Sequence, residues 1–279
     1  MNQHEYLSKL HGELLTIIEV VDKVCREQNL TYYLVGGSLL GTVRHNGFIP
    51  WDDDLDIGMP RKDFERFISI ANTVLGEEYE LQWITTNKDY WQVFAKVVRK
   101  DTLFKEPGLK RFQPHGIFID IFPLDISSEY SPRVERVKRK IQTISSLVWQ
   151  KNNPTSKFRY LLSRLFKIKT LQKAMIRIMK SAQKYGKTHY ANFGSQYAIS
   201  KQTMPVEWYG NGVRLPFEKL SLSVPAEYEK VLISIYGNNY MSLPPEDRRR
   251  CHYPEKVKFS DGMEVSFDKP SHVVSIHEQ

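Results

Sequence analysis

Apolar residues Leu7, Leu10, Leu14, Ile17, Val21 and Val24 recur at helical spacing, so residues 4–28 are expected to form an amphipathic helix. The period then shortens. Tyr32–Val35 is a strand-like run that stops at Gly36-Gly37, and Ser38 is placed to cap a helix reaching His45. Leu55 and Ile57 alternate with acids as a second strand. A helix is expected from Pro60 to Leu75, with proline at its start and Gly76 just past its end. Residues 79–85, 91–99 and 116–122 read as strands, and the last, from Gly116 to Phe122, is apolar enough to be central. Beyond residue 130 the pattern is mostly helical until a hairpin over Val213–Val224 and a helix from Pro225 to Tyr236, ended by Gly237. This order predicts an α/β fold, a mixed sheet core flanked by helices with a helical addition.

Charge sharpens the division. The 279 residues carry a net charge of +8, yet residues 131–190 hold sixteen Lys and Arg against one acid, Glu135. That block therefore carries +15 and the remainder −7. Within residues 158–180, Leu161, Leu165, Ile168, Leu171, Met175 and Ile178 form an apolar stripe bordered by Lys and Arg. Such a helix suits the surface of an anionic membrane; a helix packed on the core with its charges in water is the competing reading. No nucleic-acid reading motif is present, and no nucleic acid is expected as a partner. Two cysteines, Cys25 and Cys251, fit no metal or redox spacing, which suits a reducing cytoplasm. No signal-like start and no apolar run of about 18 residues is present. The expected location is cytoplasmic, in association with the inner face of the cell membrane.

The most informative segment is Trp51-Asp52-Asp53-Asp54-Leu55-Asp56-Ile57-Gly58. On a strand, residues two apart share a face, so Asp52, Asp54 and Asp56 line one side while Leu55 and Ile57 enter the core. Carboxylates roughly 7 Å apart beside a buried sheet repel one another unless a cation neutralises them. An oxygen-rich site of this kind suits Mg²⁺ or Mn²⁺. A calcium loop is rejected, because its sixth and twelfth places hold Ile57 and Asp63 rather than Gly and Glu. Upstream, Gly36-Gly37-Ser38 lies between a strand and a helix, where glycine lets backbone approach a phosphate and the helix N-terminus offers N–H groups. It is neither a Walker loop, lacking Gly-Lys-Ser/Thr, nor a serine nucleophile elbow.

Gly36-Gly37-Ser38 followed by Asp54-Leu55-Asp56 resembles the signature of the nucleotidyltransferase-fold superfamily. The longer stretches Tyr33–His45 and Ile49–Ile57 closely resemble its LicD branch, which fukutin-related proteins share. Ile119–Asp125 and Tyr236–Pro245 are further matches. The resemblance implies transfer of a substituted phosphate from a CDP-activated donor to a sugar hydroxyl, with release of CMP. The donor it implies is most often CDP-choline, with CDP-ribitol and CDP-glycerol in relatives. The acceptor is a cell-surface glycan, teichoic acid or lipopolysaccharide precursor, which can be lipid-linked. On this reading residues 1–130 are a nucleotidyltransferase-like catalytic core, 131–205 a basic helical insertion, and 206–279 a hairpin and helix packing back on the core.

The family pattern makes Asp54 and Asp56 the metal pair and Asp120 the third carboxylate, as second-metal ligand or as base. Gly36, Gly37 and Ser38 would hold phosphates, with Arg44 and Lys96 as further phosphate partners and Asp52 orienting the metal pair. Asp53 and Asp125 read as structural, the latter as the end of its strand. His115 and His252 are acid–base candidates, and Arg248, Arg249 and Arg250 form a run suited to an anionic substrate or to water. A choline donor would need aromatic faces, for which Tyr33, Trp51, Trp83, Trp91 and Phe122 are candidates. Two alternatives stay open: nucleotidyl transfer from a nucleoside triphosphate, and a catalytically idle protein that binds a partner or membrane through the basic block.

Overall fold

The computed structural model describes residues 3–87, 89–107, 116–249, 251 and 254–267; His115, Arg250 and His252 lie outside them. Helix α1 (Gln3–Glu27) leads to strand β1 (Tyr33–Leu34), helix α2 (Gly36–His45), strand β2 (Asp56–Pro60) and helix α3 (Arg61–Val74). Strands β3 (Tyr79–Gln82), β4 (Ala95–Arg99), β5 (Leu103–Lys105) and β6 (Phe118–Ser127) follow. Then come helices α4 (Pro132–Asn152), α5 (Lys157–Arg164) and α6 (Ile168–Lys180), strands β7 (His189–Ala191) and β8 (Thr203–Pro205), and the short helix α7 (Val206–Tyr209). The chain closes with the hairpin β9 (Val213–Phe217) and β10 (Leu220–Val224), helix α8 (Tyr228–Tyr236), and strands β11 (Lys256–Lys258) and β12 (Glu264–Ser266).

The central sheet is mixed, in the order β1-β2-β6-β4-β3, with β7 on β6 and β8 on β7. β6 is parallel to β2 and antiparallel to β4, and it continues to Ser127, beyond the Phe122 expected from sequence, because its far end pairs with β7. Residues 189–205 therefore supply sheet strands, although they follow directly on the basic helices. Alternation sorts the two faces of the sheet. Ile57, Ala95, Val97, Ile119 and Ile121 are fully buried in the core. α1 and α3 pack against these strands, with Leu10, Leu14, Ile17, Val21, Phe64 and Phe67 facing inward. The opposite face carries Asp56, Lys96, Phe118, Asp120 and Phe122.

Several elements differ from the sequence expectation for local reasons. Ser38 does not cap α2: Val35 holds the N-cap position, and the Ser38 hydroxyl accepts a hydrogen bond from the Asp56 amide at 2.8 Å. Asp52 and Asp54 precede β2 rather than lie in it. Pro60 is the N-cap of α3 rather than its first turn. The stripe expected over 158–180 is split by a break at 165–167. Leu171 and Met175 of α6 are buried and Ile168 and Ile178 are partly so, whereas Leu161 and Leu165 stand in solvent. Both cysteines are buried and unpaired with each other.

The hairpin is tied to α1 through one carboxylate. Asp22 accepts hydrogen bonds from the Tyr32 hydroxyl at 2.6 Å, from Arg214 at 2.9 and 3.1 Å, and from Arg26 at 3.0 Å. Burial pushes its pKa up, but the hydrogen bonds from Arg214 and Tyr32 outweigh burial and leave it below the usual carboxylate value. The folded state then binds fewer protons than the unfolded one near this pKa, so the contribution is complete above about pH 4 and lost on acidification. Asp22→Asn should cost about 1–3 kcal/mol at neutral pH. The deficit should shrink as pH falls through that range, which urea titrations at several pH values would measure.

Candidate active site

Cross-strand register brings three ionic side chains into one row. Asp56 of β2 is opposite Asp120 of β6, and Asp120 is opposite Lys96 of β4. The Lys96 ammonium donates to Asp120 Oδ1 at 2.8 Å and lies 3.3 Å from the Phe118 ring centre. Lys96 is only 2 % exposed, so its charge is held by this carboxylate and ring face rather than by water. The row looks onto a cavity of about 540 Å³, a volume within the range of small-molecule sites.

The segment that precedes β2 completes the acidic wall. Asp52, Asp53 and Asp54 line the same cavity as Asp56 and Asp120. Burial, followed by the neighbouring Asp54 and Asp53, raises the Asp52 carboxyl well above the ordinary range. Burial, then Asp54, Asp120 and Asp52, does the same to Asp56, against an opposing pull from Lys96. Asp120 is raised by burial, and Lys96 limits the rise. A set of carboxylates with one ammonium among them is an under-neutralised site.

The glycine turn and the acidic strand are one device. The Val35 amide donates to the Asp56 carbonyl at 3.2 Å while Ser38 receives the Asp56 amide, so both backbone groups of Asp56 are fixed by the turn. Gly36 has φ +57°, a conformation that favours glycine. A Cβ on Gly37 would stand 2.6 Å from Asp52 Oδ2, so glycine there makes room for that carboxylate. Val35, Gly36 and Gly37 line the cavity where α2 begins.

Other expectations are redistributed. Arg44 does not line the cavity; it donates to the carbonyls of Tyr240 and Ser242 at 3.3 Å and approaches the Trp51 ring at 5.9 Å. Arg249 packs over the other part of that assembly, 4.7 Å from the Trp51 ring centre, and donates to the Pro244 carbonyl. Both arginines thus fasten the Tyr236–Pro245 segment to the acidic loop. Trp83 and Trp91 pack in and against the core, and Tyr33 donates to the Gly210 carbonyl. Of the aromatic candidates only Phe122 reaches the cavity, where Phe94, Phe104, Phe118 and Tyr197 join it. Asp125 does not end its strand as expected: it lies within β6, paired with β7, and forms a buried two-point pair with Arg61 at 2.8 and 2.7 Å.

The remaining wall was not apparent from sequence. Gln92, Glu106, Asn192, Gly194, Ser195 and Gln202 come from four separate stretches. Gln92 Oε1 is buried without a hydrogen-bond partner, a polar atom suited to a ligand donor. The Asn192 side chain accepts from the amides of Gly194 and Ser195 at 3.0 and 3.1 Å. Lys138 of α4 donates to the carbonyls of Phe193 and Ser195 at 2.7 and 2.6 Å, and burial pushes its ammonium down to about 8. A run of turn-forming residues, Asn192 to Ser195, was the only available signal.

Among the described residues no three His, Cys, Asp or Glu side chains are gathered as a ready-made metal cluster. The donor chemistry nonetheless fits Mg²⁺ or Mn²⁺. Asp54 and Asp56 offer hard carboxylate oxygens in a repelling pair, and Mg²⁺ characteristically takes one or two carboxylates together with substrate phosphates. Asp120 is engaged by Lys96 instead.

The mixed sheet thus presents acids at the start of β2 and in β6, beside a Gly-Gly-Ser turn. Residues 29–146 match the family described as LicD/FKTN/FKRP, nucleotidyltransferase domain. It is similar to the lipopolysaccharide cholinephosphotransferase LicD of Haemophilus influenzae, with 26% identity over 87% of this chain and 94% of that one. An uncharacterized protein of Rickettsia prowazekii is 42% identical over 40% of this chain and 44% of its own. Human ribitol 5-phosphate transferase FKRP is 31% identical over 28% of this chain and 20% of its own.

Relief of carboxylate repulsion should be measurable. A raised pKa means that the folded state binds more protons than the unfolded one, so stability falls as pH rises through that range. Without divalent cations, Asp52→Asn should raise Tm at neutral pH by about 2–4 °C, the equivalent of about 1 kcal/mol. The gain should vanish near pH 3, where both states are protonated. Scanning calorimetry of both proteins across pH would check this.

Proposed function

We propose that this protein transfers a substituted phosphate, phosphocholine or a phosphoalditol, from a CDP-activated donor to a sugar hydroxyl and releases CMP. The observation that carries the reading is the Asp56–Asp120–Lys96 row facing the cavity beside the Gly36-Gly37 turn. It is supported by the likeness to a cholinephosphotransferase along most of the chain and to a ribitol 5-phosphate transferase over part of it. A lipopolysaccharide or related cell-surface glycan precursor is the acceptor class that the first of these names suggests.

In this reading the acceptor oxygen bonds to the phosphorus that carries the substituent. The bridging bond to CMP breaks, and the hydroxyl proton passes to a carboxylate. Asp120 suits that last role: burial raises it toward a useful proton affinity, and Lys96 holds its position. Lys96 also brings positive charge to where phosphate oxygens would lie. The opening of α2 offers backbone N–H groups to the donor pyrophosphate. Asp54 and Asp56 would hold Mg²⁺ or Mn²⁺, which when bound offsets charge developing on the phosphates and the departing CMP. Phe94 and Phe122, 4.5 Å apart, and Phe118 and Phe104, 5.5 Å apart, supply ring faces that a quaternary ammonium would favour.

The test is CMP release with Mg²⁺ or Mn²⁺ from CDP-choline, CDP-ribitol and CDP-glycerol, with CTP as control and a glycan acceptor extract present. Release from one CDP donor is expected, and Asp54→Ala should abolish it. Lys96→Met should lower kcat by about 10²–10³-fold. Consumption of CTP in place of any CDP donor would convert the assignment to nucleotidyl transfer.

A further inference from the structure

The basic helical addition presents a surface that the proposed reaction does not use. α6 turns Leu171, Met175 and Met179 into the core, and Gln172 donates to the Tyr90 carbonyl at 2.9 Å. α4 is fixed beside it, through Asn152 to the Asp89 carbonyl and Ser145 to the Trp91 carbonyl. The two helices are therefore anchored, and they hold α5 outward. On α5 and the turn after it, Phe158 is 76 % exposed, Leu161 62 % and Leu165 75 %, with Leu162 and Phe166 also exposed. These five occupy nine consecutive positions, so they form one patch rather than scattered surface residues.

The ring around this patch has one sign. Lys157, Arg159, Arg164, Lys167, Lys169 and Lys173 are all exposed, and no acid occurs between residues 157 and 180. A second copy of the chain seated patch on patch would bring these cations against their own counterparts, which is unfavourable. Nucleic acid would satisfy the cations and leave Phe158, Leu161 and Leu165 in water. A bilayer with anionic headgroups satisfies both, because its interface takes apolar side chains while its charge meets Lys and Arg.

We propose that α5 and the turn at 165–167 dock this protein on an anionic lipid surface, with Phe158, Leu161 and Leu165 entering the interface. The contact is narrower than the whole 158–180 segment, since the apolar side of α6 is already buried. The proposal does not rest on the reaction, and its test reads no activity.

The full chain would be floated with vesicles of phosphatidylcholine alone and of phosphatidylcholine with phosphatidylglycerol. Flotation is expected with the anionic vesicles only, and it should weaken at high salt. The triple variant Phe158→Ser, Leu161→Ser, Leu165→Ser should reduce the bound fraction by about tenfold or more. Arg159→Glu combined with Lys167→Glu should do the same. All five side chains are exposed, so near-UV circular dichroism should be unchanged in both variants. Absence of flotation, or equal flotation on neutral vesicles, would overturn the proposal. So would a wild-type dimer in sedimentation velocity that the serine variant dissociates, or RNA binding undiminished by the serine substitutions.

Discussion

Asp56 is gripped at both backbone atoms by a turn eighteen to twenty-one residues earlier in the chain, and much of the site's order follows from that grip. With its amide on Ser38 and its carbonyl on Val35, the strand cannot slide by one residue without losing both bonds and turning Ile57 out of the core. The register of β2 on β6 sets Asp120 beside Asp56, and the register of β6 on β4 sets Lys96 beside Asp120. The repelling charges are thus held by backbone pairing, not by attraction among themselves. The sheet supplies the stability that the acids subtract, a compromise common where function requires like charges at close range.

Groupings carried by contiguous residues were legible in the chain. Gly36-Gly37-Ser38 and Asp54-Leu55-Asp56 stood out by glycine's backbone freedom and by alternating carboxylates, and the fold sets Gly36, Gly37, Asp54 and Asp56 on one cavity. Even there the wiring differed. Ser38 reads as a helix cap by residue type, yet its oxygen serves Asp56, a partner only the fold brings near. The sheet core, α1 and the hairpin followed from periodicity, since their apolar positions repeat. The far half of β6 did not, because its pairing partner β7 lies beyond the basic helices.

The cavity wall marks where such reading ends. Phe94, Phe104 and Phe118 are ordinary strand aromatics by pattern, and nothing local says which face of the sheet is open. Trp51, by contrast, sits near the acids in sequence but is occupied by Arg44 and Arg249. Proximity along the chain favoured it, and tertiary packing assigned it to bracing. The same applies to the basic block. Its stripe was visible as a period, but a period cannot say which turns meet the core and which meet solvent.

Lys138 alters what the helical addition is. Its ammonium spans from α4 to the carbonyls of Phe193 and Ser195, on the loop that closes one side of the cavity. A segment that composition sets apart as an appendage is thereby a structural member of the pocket. The addition cannot be shortened or exchanged as an independent module, because a replacement would have to return a buried cation to the same two oxygens. Divergence within it is accordingly restricted along the inward side of α4.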